Sequence, residues 1–132
     1  MWTEHVLNPK LIQGIFKNEK PSLKQIRMKE IAVIFGSDLL CRIHFDLKDF
    51  PVEAPLKWIQ SKYNKVQMSL ALLNTDIVHF SAHGGDIEGD LSIIFDKSYF
   101  TIEFRDNTNE LIFSATSKWI NIDKISGYIS SI

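Results

Sequence analysis

The sequence predicts a mainly β protein, at the margin of α+β: an antiparallel sheet or β-sandwich of about 7–9 strands with a short N-terminal helix. Three observations carry this. Apolar and polar residues alternate with period two through most of the chain after residue 26. Polar turn signals interrupt the alternation at short intervals: Gly36-Ser37-Asp38, Asn74-Thr75-Asp76, Gly84-Gly85-Asp86, Asp96-Lys97-Ser98 and Asp106-Asn107-Thr108-Asn109. Strands do not alternate with long helices, which argues against a doubly wound α/β fold. A sandwich or a strongly curled sheet then buries the two-faced strands.

The helix comes first. Asn8 is placed as its N-cap and Pro9 at its first position. Leu11, Ile12, Ile15 and Phe16 recur on one helical face, and Pro21 lies beyond the end, so a helix is expected near residues 9–17, docked on the sheet. Ile31, Val33 and Phe35 then alternate over Glu30–Gly36. The next strand is the clearest: Leu39, Cys41, Ile43, Phe45 and Leu47 face one way, with Leu40, Arg42, His44, Asp46 and Lys48 opposite. Val66, Met68, Leu70 and Leu72 define another strand. Val78, Phe80 and Ala82 follow after the Asn74–Asp76 turn, with Ile77, His79, Ser81 and His83 on the reverse face. Leu91–Phe95, Phe100–Phe104 and Leu111–Ala115 give three more. Residues 119–132 read either as a strand through Trp119, Ile120 and Ile122, or as a helical turn bearing Ile125, Tyr128, Ile129 and Ile132.

Between the strands ending at Leu47 and beginning at Val66 lies Phe50-Pro51-Val52-Glu53-Ala54-Pro55-Leu56-Lys57-Trp58. Pro51 and Pro55 cannot donate to a ladder and push their predecessors out of the helical region, so the segment is expected to cross in extended form. Phe50, Val52, Leu56 and Trp58 are apolar enough to plug a core. The other reading makes Trp58 an exposed anchor for a partner. Pro51, Pro55 and Trp58 are in either case the structural motif of the segment.

The 132 residues suit one domain, 1–132, and show no internal repeat or linker. Fifteen basic residues against sixteen acidic give a formal charge of −1, which disfavours nucleic acid and anionic membrane as partners. The single cysteine, Cys41, excludes an internal disulfide and a multi-thiolate metal site. The start Met1-Trp2-Thr3-Glu4-His5 lacks the basic and apolar regions of a signal peptide, and no apolar run is long enough to span a bilayer. A cytoplasmic protein is expected.

Candidate chemistry is sparse. His79 and His83 share a strand face but stand ~13 Å apart at ~3.3 Å per residue, too far for two zinc–nitrogen bonds of ~2.0 Å, so no metal is expected. Asp86, Glu88 and Asp90 put three carboxylates on one side of an incoming strand. They fit a solvated edge or a partner-facing acidic patch; acid–base or glycosidase work would further require a desolvated member and an opposing cleft. Cys41 lies on an apolar face, as a small hydrophobe. No phosphate loop, nucleophile elbow or Cys-x-x-Cys occurs. Neither an enzyme nor a cofactor is expected. What remains is a binding or structural β-domain.

Trp2, Leu7-Asn8-Pro9-Lys10-Leu11, Ile15-Phe16 and Pro21-Ser22-Leu23 resemble the opening of the immunity protein 50 family of bacterial polymorphic toxin systems. Pro51, Pro55-Leu56-Lys57-Trp58, Asn64-Lys65-Val66 and Ile125-Ser126-Gly127-Tyr128 continue the resemblance over nearly the whole chain. It implies a small cytoplasmic protein that neutralises a cognate toxin by occlusion, as a monomer or weak homodimer. Asp86, Glu88, Asp90, His79 and His83 are the residues expected to meet the partner. The acids would mimic the anionic substrate of a nuclease toxin. The alternative is a small-molecule-binding β-domain with a ligand in the mouth of the sandwich, lined by Trp58 or Trp119. A homo-oligomer pairing through an edge strand is a third reading.

Overall fold

In the computed structural model, which describes residues 1–17 and 19–131, the strands are β1 (Ile26–Ile34), β2 (Leu40–Asp46), β3 (Lys65–Ala82), β4 (Ile87–Asp96), β5 (Tyr99–Asp106) and β6 (Leu111–Tyr128). All neighbours are antiparallel, and the sheet closes on itself as a barrel in the order β1–β2–β3–β6–β5–β4. The strands therefore number six among the described residues, not seven to nine.

The difference has one physical cause, met twice. At Asn74–Asp76 the chain bends without reversing, so the runs on either side form one 18-residue strand. Asn74 takes a positive φ of 54°, and the Thr75 hydroxyl donates back to the Leu72 carbonyl at 2.6 Å. Directly opposite, the Ser117 hydroxyl reaches the carbonyls of Leu73 and Trp119, each at 2.7 Å. The turn-forming residues are absorbed in a paired bend. β6 likewise fuses two expected strands into 18 residues and continues to Tyr128. The helical alternative for 119–132 is thereby replaced by strand up to Tyr128, and its last member, Ile132, lies outside the described residues.

The interior is filled by alternate side chains of every strand. Phe45, Phe100, Phe104 and Phe113 are fully buried at its centre, among Ile26, Ile43, Met68, Leu70, Leu72, Ile102, Ile120 and Ile122. Cys41 sits in this wall, and burial pushes its thiol up to about 11. Burying apolar surface at roughly 25 cal/mol per Å² is what holds such a barrel closed.

Helix α1 (Pro9–Phe16) begins at Asn8 as expected, with Ile12 and Phe16 turned to the core. Asn8 does not cap it with its side chain. Its amide instead clips the helix to β6, donating to the Ile122 carbonyl at 2.8 Å and accepting from the Ile122 N–H at 2.9 Å.

The proline segment plugs one end. Pro51 and Trp58 are buried, and Trp58 packs on Phe50 and Tyr63 at ring separations of 6.0 and 6.4 Å. Gly127 makes room: a Cβ there would stand 2.6 Å from Tyr63 and 3.0 Å from Trp58. Two expectations fail at this plug. The crossing is not extended throughout, because Pro55 precedes a short helix, α2 (Leu56–Gln60). Val52 and Leu56 are 84% and 69% exposed: Val52 lies in the turn before α2, and the single turn of helix brings only Trp58 inward. Phe35, expected on an apolar strand face, lies past the end of β1 and is 85% exposed.

Candidate functional site

The barrel is closed by a thin seam. β1 meets β4 through only three residue pairs, Ile26 with Gly89, Arg27 with Glu88 and Met28 with Ile87. Gly89 is required there, because a Cβ would lie 2.5 Å from the Arg105 carbonyl oxygen. A bulge between Met28 and Glu30 then swings β1 away from β4.

The outward side chains at this seam form a cluster of charges. The Arg27 guanidinium pairs with the Asp86 carboxylate and stands 3.5 Å from Glu88 Oε2. The pairs are largely solvent-exposed, so each contributes about 0–1 kcal/mol and leaves its carboxylate accessible. Asp90 accepts the Gln25 N–H at 2.9 Å, fixing the positive-φ residue that leads into β1. The three carboxylates do share one face, and each has a partner that short-range sequence reading cannot see.

Below them opens a depression of about 550 Å³. Its floor is Asp46, buried although it sits on the outward register of β2. Asp46 Oδ2 accepts the Tyr128 hydroxyl at 2.5 Å and stands 3.7 Å from the Lys29 ammonium. Burial, and then the hydrogen bond and charge of Asp46, push the Tyr128 phenol up to about 12, against an opposing pull from Arg27. Tyr128 is thus a fixed neutral donor. Four cations, Arg27, Lys29, Lys48 and Lys65, line the depression with Asp46, Asp86 and Glu88. Such a surface is suited to recognising charge.

A second, smaller depression of about 250 Å³ lies across the seam, and Lys29 lines both. The β3–β4 turn forms its rim through His83, Gly84 and Gly85, and Phe80, Ile31, Ile87 and Leu111 give it an apolar floor. The His83 N–H donates to the Glu110 carbonyl at 2.5 Å, and Gly84 holds φ 77° against the Glu110 carboxylate.

The structure therefore brings Asp86 and Glu88 to one depression and His83 to its neighbour, with Asp90 beside the first. His79 lies exposed on β3 and lines neither. Among the described residues no group of three or more His, Cys, Asp or Glu side chains is placed to hold a metal ion. Sequence reading missed Arg27, Lys29, Asp46 and Tyr128. Only the outward register of Asp46 hinted at its place; Tyr128 belonged to the helical alternative. Trp58 and Trp119 line neither depression; Trp58 is buried, and the Lys118 ammonium stands 4.6 Å above the Trp119 ring.

These features define a small closed antiparallel barrel with a packed apolar interior and its charged side chains outside. A family model described as Immunity protein 50 matches residues 8–128, and the chain belongs to that family. No curated protein matches the chain, and no solved structure does. No helix among the described residues is long and apolar enough to cross a membrane.

Proposed function

We propose that this chain is an immunity protein that binds and neutralises a cognate bacterial polymorphic toxin in the cytoplasm, without catalysis, by occluding it. The observation that carries the reading is membership of the immunity protein 50 family over residues 8–128. The face around the β1–β4 seam is where the toxin docks, with Asp86, Glu88, Asp90, His79 and His83 among its contacts. A standard interface of ~800 Å² per partner is wide enough to take in both depressions.

The charge arrangement supports this placement. Exposed carboxylates held by a single arginine can exchange that partner for cations on the toxin, which favours fast, steered association. Displayed beside Lys29 and Lys48, they present alternating charge that a wrong partner fails to match. The buried Asp46–Tyr128 contact keeps the floor rigid, so little ordering is needed on binding.

The test is co-expression with the product of the adjacent upstream gene, read by growth and by co-purification. Rescued growth with a stable complex is the expected result. No complex and no rescue would overturn the reading for that gene pair.

A further inference from the structure

Both of the longest strands run past a neighbour. β6 outruns β5 beyond Ser117, but there Leu7 and Asn8 bond its backbone at Ile120 and Ile122. The β3 overrun has no such cover among the described residues. β2 pairs with β3 only as far as Leu72, and the last link on that edge is the Thr75 N–H to the Leu39 carbonyl at 2.9 Å. From Asp76 to Ala82 β3 is paired with β6 and, among the described residues, with no strand on its other side. β1 is similarly open: beyond Met28 it pairs with β2 alone. The two open edges converge on the smaller depression, which β1 lines through Met28–Ile31 and β3 through Phe80 and Ala82.

Open edges in native proteins are ordinarily guarded by lysine, proline or a covering element. This one is not. Its seven residues, Asp76-Ile77-Val78-His79-Phe80-Ser81-Ala82, include no lysine, arginine or proline. Val78 is 69% and Phe80 43% exposed. Phe80 stands edge-on to buried Phe113 at 5.7 Å, so it is held ready by the core beneath it.

We propose that the Asp76–Ala82 edge of β3 takes an extended strand of the toxin by β-addition, that strand being apolar at alternate positions and cationic at its ends. The clause about the toxin rests on the functional reading above; the edge and its charge do not. Backbone pairing supplies affinity, and the apolar depression takes an alternate side chain of the incoming strand. The charge of the ends follows from the rim. Glu30 lines the depression and Glu110 stands against Gly84 on its rim, at the Ala82 end, while Asp76 stands at the other end of the edge. Among the described residues none of the three takes part in an ion pair. Lys29, which also lines the depression, turns its ammonium to Asp46.

The same charges argue against a second copy of this chain as the occupant. Pairing the edge with itself, antiparallel about His79, sets Asp76 of one copy beside Ala82 of the other. Glu110 is at that end, through its carbonyl contact with His83. Carboxylate would meet carboxylate.

Val78 offers a clean probe, because it falls at the bulge between Ile77 and His79 and has no β6 partner in the register. Val78→Lys adds a guard charge without touching the core. The purified upstream gene product is titrated against the wild-type chain, Val78→Lys and the double variant Asp86→Ala/Glu88→Ala. Amide hydrogen exchange is followed in the wild-type complex. The expected result is about thirtyfold weaker binding for Val78→Lys, with slowed exchange over 76–82 in the complex. If wild type and Val78→Lys bind equally and those amides exchange unchanged, the edge proposal falls while the immunity reading stands. If only Asp86→Ala/Glu88→Ala weakens the complex, the result is the same. Loss of a self-dimer in free Val78→Lys, with toxin binding intact, makes the edge a homodimer contact and overturns the proposal. No binding by the wild type fells both.

Discussion

The two halves of β3 have similar sequences and opposite fates. From Val66 to Leu72 the strand lies between β2 and β6, and Val66, Met68, Leu70 and Leu72 are fully buried. From Asp76 to Ala82 it keeps only β6, and none of its residues is buried. Both halves are rich in apolar residues, so composition does not separate them. What separates them is the neighbour: β2 is seven residues long and stops, while β3 continues. A period-two pattern reports that a residue has two faces, but not whether a second strand covers its edge. The paired half is built into the core and the open half lies outside it.

The sharpest test of that contrast is a core truncation in the paired half. Leu70→Ala should lower the unfolding free energy by about 2–5 kcal/mol, as a cavity opens at the centre of the barrel. Denaturant unfolding monitored by tryptophan fluorescence measures it. Next comes the seam that closes the wall. Gly89→Ala forces a Cβ against the Arg105 carbonyl and should cost about 1–3 kcal/mol, with faster amide exchange in β1 and β4 than elsewhere.

A third test concerns the hairpin that positions the open edge. Asp106 is buried at the β5–β6 turn, where it accepts from the Thr108 hydroxyl at 2.6 Å and the Leu111 N–H at 3.1 Å. These contacts, that of Thr108 foremost, hold its carboxyl down at about 2, against 3.8 for a free aspartate. A depressed carboxylate stabilises the fold fully above its unfolded value and loses that contribution as pH falls through its folded one. The melting temperature should therefore drop between pH 4 and pH 2, and Asp106→Asn should flatten that part of the profile. The smallest effect is expected in the open half itself. Val78→Ala should change stability by no more than about 0.5 kcal/mol, in the same unfolding assay. A loss there as large as that of Leu70→Ala would erase the contrast between the halves.

Much of the fold was legible because its signals are local. The β2 alternation, the tight turn at Lys97 with φ 62° and the α1 start at Asn8-Pro9 each depend on neighbours a few residues away. The strand count was not, because Asn74-Thr75-Asp76 carries true turn chemistry that the fold uses for a bend. Ser117, on the facing strand, decides between the two outcomes, and it lies 44 residues from its Leu73 acceptor. The site divides in the same way. The shared face of Glu88 and Asp90 followed from alternation. The joining of Glu88 with Arg27 followed from barrel closure, which pairs β1 with β4, while the β2–β3–β6 order lays Tyr128 against Asp46 across 82 residues. No pattern within one strand contains that information.

The central claim is that protection comes from surface contact alone. It is tested most directly by adding the purified chain, at substoichiometric ratios, to the purified product of the adjacent upstream gene and measuring the activity that survives. Occlusion predicts residual activity that falls in proportion to the chain added, reaches zero at equivalence, and stays constant with time at every ratio. Activity that keeps decaying to zero at a small fraction of equivalence would mean turnover, and would contradict the account.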